Sequence, residues 1–385
     1  MFALFVTLVA AQPTCRFIRR PRAYYATRDS SVIVPTFTRS STALPISAST
    51  AITSSAPLTS SLPSSSAAPT STPSSSIRSS SAPVHVPSSS SSSSSSALGP
   101  SPSVIPGLLG SLFPAGPGSS SWSTSNVLGN ALVLSDSTFR PHRVLRSTPH
   151  TYTSAPDGKR ALQAFYPCGS LSFNFQPQGR FSFYAPGPAS VDLTAAKEVT
   201  FSYSVYFPKG FNYVLGGKLP GLYGGNSDGE AVGCSGGSRS SACFSARIMW
   251  RSGGEGEFYT YLPPYTDGRF AANGMLCNEP GSYCHPTYGT SVGHGAFSFT
   301  TGSWTTVSER VRLNDAGKAN GQLQLFVNGK SVINLGGLIL RDSAAGRIRG
   351  LQMQTFFGGS KPEFATPKDQ EVFFSDFSVA VTQYL

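Results

Sequence analysis

The second part of this 385-residue sequence predicts an all-β fold, a β-sandwich or jelly roll. Residues 199–207 (VTFSYSVYF) show a period of two, with Val and aromatic residues alternating with Ser and Thr. Long amphipathic helical patterns are absent, and 39 Gly and 30 Pro punctuate short apolar runs. Many short strands over about 250 residues are typical of an antiparallel sandwich.

The other strands are predicted where the same alternation recurs. These segments are residues 170–175, 181–184, 297–300, 322–327 and 373–381. Residues 325–333 (LFVNGKSVI) predict a β-hairpin, because Asn328-Gly329 tolerates the positive φ angles of a type I′ turn.

Composition divides the chain into four segments. Residues 1–11 are apolar and end in small residues, as a secretory signal peptide does. Residues 12–39 are basic, and residues 40–126 are rich in Ser, Thr and Pro with a single charge, Arg78. The third segment predicts a disordered linker with a composition typical of O-glycosylated stalks. No Asn-X-Ser/Thr sequon occurs in the chain, so any glycan there would be O-linked. Residues 127–385 predict one folded domain.

Charge and hydropathy exclude several function classes. Only 12% of the residues are charged, which argues against a coiled coil or a helical bundle. No apolar run reaches the roughly 18 residues that a membrane span needs. Of the net charge of +11, residues 127–385 carry only +5, and the basic N-terminal segment lacks a nucleic-acid-binding motif. We therefore expect a secreted monomer with neither a membrane span nor a nucleic-acid partner.

The six cysteines fit an oxidising compartment. The pairs Cys234–Cys243 and Cys277–Cys284 are close enough in sequence to pin loops, although six cysteines allow 15 connectivities. Cys15 and Cys168 are left over and need not pair. Neither a Cys-X-X-Cys motif nor a metal-ligand spacing of histidines occurs, so we expect no metal site.

Three local motifs have weak functional signals. Residues 233–237 match the Gly-X-Ser-X-Gly nucleophile pattern, but no helix follows, so a pinned loop is the better interpretation. Glu255 and Glu257 share a strand face at a spacing of about 6.5–7 Å, which a retaining glycosidase pair would allow. His294, between two glycines, is a candidate for substrate contact.

A stronger set spans residues 213–265. Lys218 lies in the unusual setting GGKLPG, Ser245 and Arg247 share one face of a predicted strand, and Tyr259 and Tyr261 share a face of the next. These residue types suit β-elimination on a uronic-acid polysaccharide. An arginine neutralises the carboxylate beside the C5 proton, and a lysine or tyrosine with a lowered pKa removes that proton. A tyrosine protonates the departing oxygen, and no cofactor is needed.

The order and spacing of these pieces resemble polysaccharide lyase family 14, a group of alginate and glucuronan lyases with fungal members. The matching pieces are residues 216–221 (GGKLPG), 244–247 (FSAR), 259–261 (YTY), 314–315 (ND), 325–330 (LFVNGK), 355–360 (TFFGGS), 365–370 (ATPKDQ) and 374–377 (FSDF). The resemblance covers about residues 150–385. Phe364 stands where the family pattern has tryptophan, and His294 where it has arginine.

The resemblance implies a concanavalin-like jelly-roll β-sandwich whose groove binds an anionic polymer. It also implies that Lys218 is the base and that Arg247 binds the substrate carboxylate. Tyr259 and Tyr261 become acid, base or positioning residues, with Ser245 as a supporting hydrogen-bonding group. Among substrates, glucuronan-type polymers are expected first and alginate second.

Two other functions remain open at this stage. The first is a carbohydrate-binding sandwich without catalysis, because basic and aromatic groove residues serve binding equally well. The second is a glycoside hydrolase that uses Glu255 and Glu257.

Overall fold

The computed structural model describes Cys15, the backbone of residues 18 and 19, and residues 107–385. The predicted signal peptide (1–11), nearly all of the basic segment (12–39) and residues 40–106 of the predicted linker lie outside the described residues. Of the helices described, none is both long enough and apolar enough to cross a membrane.

Short antiparallel strands build the described part of the chain. The strands are β1 (Ile18–Arg19), β2 (Ser120–Ser123), β3 (Thr151–Ser154), β4 (Arg160–Tyr166), β5 (Phe175–Gln176), β6 (Phe181–Ala185), β7 (Ala196–Tyr206), β8 (Gly217–Gly225), β9 (Cys243–Trp250), β10 (Glu255–Tyr261), β11 (Tyr283–Cys284), β12 (Thr290–Ser298), β13 (Trp304–Arg312), β14 (Gly321–Val327), β15 (Lys330–Leu338), β16 (Arg347–Phe357) and β17 (Gln370–Tyr384). The α-helices are α1 (Gly107–Leu112), α2 (Asp136–Phe139) and α3 (Asp228–Ala231). Four 3₁₀ segments are Leu193–Ala195, Ser252–Gly254, Gly268–Asn278 and Pro362–Phe364.

Two antiparallel sheets form the sandwich. The seven-stranded sheet has the order β11-β12-β10-β9-β8-β16-β6, and the eight-stranded sheet has the order β15-β14-β13-β7-β17-β4-β3, with β2 added beside β17. β1 pairs separately with β5. Inward-facing residues of both sheets, such as Phe201 and Val205 on β7 and Phe244 and Ile248 on β9, share one hydrophobic core. The predicted jelly-roll β-sandwich is confirmed.

The hairpin prediction is also confirmed. Asn328 and Gly329, with φ angles of 48° and 80°, connect β14 and β15. The predicted strand at residues 170–175 is wrong, because this segment is mostly turns and only its end joins β5. Leu171 and Phe175 are buried there, so the alternation reflects a loop packed on the core rather than strand pairing.

Three disulfides join all six cysteines: Cys15–Cys168, Cys234–Cys243 and Cys277–Cys284. The second and third pairs confirm the prediction from sequence spacing. The first pair corrects the expectation that its two cysteines need not pair, and it attaches Cys15 to the domain from 153 positions away. Sequence spacing could not reveal it, because only the fold brings these residues together.

The folded domain begins earlier than the predicted boundary at residue 127. Leu112 and Phe113, at the end of α1, are 0% and 4% exposed, and the hydroxyl of Ser202 donates to the Leu112 carbonyl over 2.7 Å. Trp122 on β2 is 5% exposed and lies opposite Val379 of β17. The Ser- and Pro-rich composition of residues 107–126 concealed these few apolar side chains, so this stretch belongs to the domain and not to the linker.

We expect a chain of residues 127–385 to be less stable than one of residues 107–385. Removing Leu112, Phe113 and Trp122 removes three buried side chains, each contributing about 1.5–3 kcal/mol, so the free energy of unfolding should fall by about 5 kcal/mol. Urea unfolding of the two chains measures the difference. Both chains lack Cys15, so the missing disulfide cancels in the comparison. Equal midpoints would contradict the assignment of residues 107–126 to the domain.

Candidate active site

The predicted site residues lie on the face of the seven-stranded sheet that points away from the core. On β9, Ala246 and Ile248 face the core, and Ser245 and Arg247 therefore face the opposite side. Antiparallel pairing aligns Tyr259 of β10 with Arg247, and Tyr261 with Ser245. The two pairs predicted from alternation are thus direct cross-strand neighbours.

Lys218 reaches the same face from β8. Its Nζ lies 2.7 Å from Met249 Sδ and 2.7 Å from the centroid of the Tyr259 ring. A β-bulge follows Lys218, because Lys218 pairs with Met249 whereas Gly221 pairs with Arg247. Bulges change the direction of neighbouring side chains and are frequent beside active sites.

The two glycines before Lys218 are required by close packing. A Cβ on Gly217 would lie 2.1 Å from the Trp250 ring, so only glycine fits there. Gly216 has a φ of +122°, which favours glycine, and a Cβ there would lie 2.5 Å from the Trp250 carbonyl oxygen. Trp250 is itself fixed by a 3.1 Å hydrogen bond from its indole N–H to the Tyr213 carbonyl. The GGK motif is therefore the sequence signature of a strand start packed against an indole.

Arg247 is a buried cation whose bonding is incomplete. Its side chain is 2% exposed, and its Nη1 donates to Gln354 Oε1 over 2.9 Å. Its Nε has no hydrogen-bond partner among the described residues, and no salt bridge to it occurs there. A desolvated guanidinium that bonds only a neutral amide is costly unless an anion binds it. This position can therefore accept a carboxylate.

Burial, together with neighbouring groups, separates the pKa values of Lys218 and Tyr259. Burial lowers the pKa of Lys218 well below its ordinary value, and the charges of Arg247 and Arg251 lower it further, against the opposing effect of Glu257. Burial raises the pKa of Tyr259, and the neighbouring Tyr261 raises it further. A neutral amine that can take a proton thus lies against a phenol that keeps its proton.

Ser245 and Tyr261 are held by the disulfide-pinned loop that follows α3. The Ser245 hydroxyl donates to the Cys234 carbonyl over 2.7 Å, and the Gly237 N–H donates to the Tyr261 hydroxyl over 3.1 Å. This loop contains the Gly-X-Ser-X-Gly pattern, and it supports the two site residues without forming the strand–turn–helix of a nucleophile elbow. The interpretation as a pinned loop is correct.

The two glutamates do not form a glycosidase pair. Glu257 is fully buried; its Oε1 accepts from Arg251 Nη2 and its Oε2 from the Ser291 hydroxyl, each over 2.5 Å. Glu255 is exposed and bonds His294 Nε2 over 2.8 Å. His294 therefore contacts Glu255, four residues before Tyr259 on β10, rather than the group around Lys218.

Sequence reasoning missed Gln354, Met249 and Arg251. Gln354 lies on β16, more than a hundred residues from Arg247, so only the sheet order brings them together. Met249 continues the alternation of Ser245 and Arg247 and was predictable as a member of the same face.

Comparisons with known proteins give one family and several similar structures. Residues 154–377 match the family model described as Polysaccharide lyase 14. A marine PL-14 alginate lyase from Aplysia kurodai is 34% identical over 60% of this chain and 87% of that chain, with a TM-score of 0.53. An alginate lyase from a Chlorella virus is 25% identical over 64% and 93% of the two chains, with a TM-score of 0.51. A search of curated proteins gave no match.

We expect Lys218→Met to be more stable than the wild type. The substitution removes a buried amine whose protonation folding disfavours and which has no carboxylate bonded to it among the described residues, and we expect a gain of about 1 kcal/mol, or about 2–4 °C in Tm. Because the pKa of Lys218 is lowered by folding, the unfolded chain binds the additional proton. The advantage of the variant should therefore be absent above pH 10.5 and grow as pH falls below that value.

Thermal unfolding at several pH values measures this effect. Lys159→Met is the matched control, because Lys159 pairs with the buried carboxylate of Asp376. That variant should lose stability, since a buried carboxylate would be left without its partner. A Lys218→Met variant that melts below the wild type at neutral pH would disprove the interpretation of Lys218 as a buried amine whose lowered pKa costs stability.

Proposed function

Because this chain belongs to the polysaccharide lyase 14 family, we propose that it cleaves a uronic-acid polysaccharide by β-elimination at the site around Lys218. The family and enzyme class agree with those predicted from the sequence. The observation that carries the proposed site is the buried guanidinium of Arg247, which has no anionic partner among the described residues and lies beside a lysine whose pKa is lowered.

In the proposed reaction, Arg247 binds the carboxylate on C5 of the uronic acid. Neutralising that carboxylate makes the C5 proton more acidic and stabilises the enolate-like charge that forms on its removal. The neutral amine of Lys218 takes the C5 proton. The C4–O bond to the next sugar then breaks, and the electron pair of the former C5–H bond becomes the C4=C5 double bond.

Tyr259 is the proposed proton donor to the departing oxygen. Its raised pKa keeps it protonated in the resting site, which suits an acid better than a base. After turnover, Lys218 carries the extra proton and Tyr259 lacks one. Since Nζ lies against the Tyr259 ring, the proton can return between neighbouring groups. Tyr261 on β10 and its cross-strand neighbour Ser245 on β9 position the substrate and Tyr259.

Alginate is the first substrate to test, because the two similar structures with the higher identities are both alginate lyases. This order reverses the expectation from the sequence, where glucuronan came first.

We further propose that the protein is secreted. The apolar N-terminal stretch and three disulfides support this proposal, because such bonds persist mainly in oxidising compartments.

Incubation with alginate, glucuronan and related polyuronates tests the reaction. We expect unsaturated chain ends that absorb in the ultraviolet, and we expect Lys218→Ala to lower kcat at least about 100-fold while the protein remains folded. Arg247→Ala should impair both binding and turnover. Saturated ends would indicate hydrolysis instead, and saturable binding without products would indicate a carbohydrate-binding protein. A fully active Lys218→Ala would remove the lysine from the role of base.

The pH dependence of kcat tests the electrostatics of the site. Glu257→Gln removes a negative charge that raises the pKa of Lys218, so the acidic limb of the profile should move to lower pH. Arg251→Gln removes a positive charge, so that limb should move to higher pH. Exposed Glu255, which bonds His294, provides the control, and Glu255→Gln should leave the limb in place. Shifts in the same direction for the first two variants would contradict this account.

A further inference from the structure

The β-bulge behind Lys218 is held from the opposite sheet. β8 uses one more residue than β9 between the pairs Lys218–Met249 and Gly221–Arg247, and its register against β16 shifts over the same step. A bulge leaves backbone groups that the ladder does not satisfy. Such groups need other partners when they are buried.

Two side chains of the eight-stranded sheet contact this stretch of backbone. The Tyr203 hydroxyl on β7 donates to the Pro220 carbonyl over 3.0 Å. The Oε1 atom of Glu309 on β13 accepts the backbone N–H of Leu222. Both side chains are 0% exposed and cross the core from neighbouring strands. The bulge is therefore bonded on both sides of Gly221.

Burying the carboxyl group of Glu309 in this core costs free energy. The inward-facing positions before and after it on β13 are Val307 and Val311, which are apolar and fully buried. Burial raises the pKa of Glu309 well above its ordinary value, and its Oε2 has no hydrogen-bond partner among the described residues. Sequences break the rule of apolar cores mainly where function requires it.

We propose that Glu309, together with Tyr203, is a positioning residue for Lys218. By accepting the Leu222 N–H, Glu309 fixes the bulged backbone, and this fixed backbone holds the lysine amine over Tyr259 and beside Arg247. The inference rests on the proposed function, in which Lys218 is the base. It assigns a catalytic consequence to a carboxyl group that lies behind the sheet and touches no substrate.

The test compares Glu309→Leu with Glu309→Gln in the full chain. Leucine fills similar volume without an acceptor, so kcat should fall about 100-fold, as expected for a misplaced catalytic group. KM should stay within about threefold, because Arg247 lies on a different strand. Glutamine keeps a neutral oxygen acceptor for the Leu222 N–H, and we expect it to retain kcat within about threefold. Tyr203→Phe should show a smaller fall in kcat than Glu309→Leu.

Val311→Ala is the matched control for stability, since it opens a core cavity on the same strand away from the bulge. It should lower Tm and leave kcat unchanged below the melting range. Equal kcat values for Glu309→Leu and Glu309→Gln would overturn the proposal, whether both are high or both are low.

Hydrogen exchange at the Leu222 amide separates this proposal from the proposed function. If the wild type releases no unsaturated ends from any polyuronate, the proposed function fails. The contact between Glu309 and the Leu222 N–H is then judged by hydrogen exchange alone. Faster exchange in Glu309→Leu than in Glu309→Gln supports positioning of the bulge, and identical exchange overturns it.

Discussion

The site depends on one electrostatic constraint: two basic side chains, Lys218 and Arg247, are buried side by side without a carboxylate bonded to either of them in the described chain. Desolvation and mutual repulsion both disfavour this arrangement. Glu257 favours the protonated form of Lys218, but its ion-pair partner Arg251 has the larger and opposite effect, and Glu309 favours the charged form of Arg247. The free energy that maintains the arrangement comes from elsewhere, chiefly from the aromatic core of the sandwich. Trp250, for example, packs edge-on against Phe207 and Phe357 beside the strand that begins at Gly217.

The surrounding structure limits the ways in which the site can relax. Glycines at the start of β8 allow Trp250 to approach closely, and the pinned loop after α3 fixes Ser245 and Tyr261. Each of these supports acts on backbone or on a hydrogen bond rather than on charge. They can therefore hold Lys218 and Arg247 in place without adding an anion, which would leave the guanidinium available to a carboxylate in the proposed reaction. A design that stabilised the site with a bonded carboxylate would be more stable and would compete with the substrate.

The sequence predicted those parts of the site that local periodicity determines. Alternation on two strands identified Ser245 with Arg247 and Tyr259 with Tyr261, because a strand has a side-chain period of two whatever its neighbours are. The pairing of Tyr259 with Arg247 depends on register, and the contact of Arg247 with Gln354 depends on sheet order. Neither is encoded locally. Composition assigned residues 107–126 to the linker for a related reason. The stretch is mostly small and polar, but its few buried apolar side chains attach it to the domain.

In the proposed reaction, the same burial that costs stability would separate the roles of acid and base. It lowers the pKa of Lys218 and raises the pKa of Tyr259, so that the lysine would act as the base and the adjacent tyrosine as the acid. Before substrate binds, the charge of Arg247 helps to keep Lys218 neutral. In the proposed reaction, a bound carboxylate would offset that charge and so raise the proton affinity of Lys218 when the C5 proton has to be removed. The unpaired arginine would then serve two purposes in turn: it keeps the base unprotonated while the site is empty, and it strengthens that base when the site is filled.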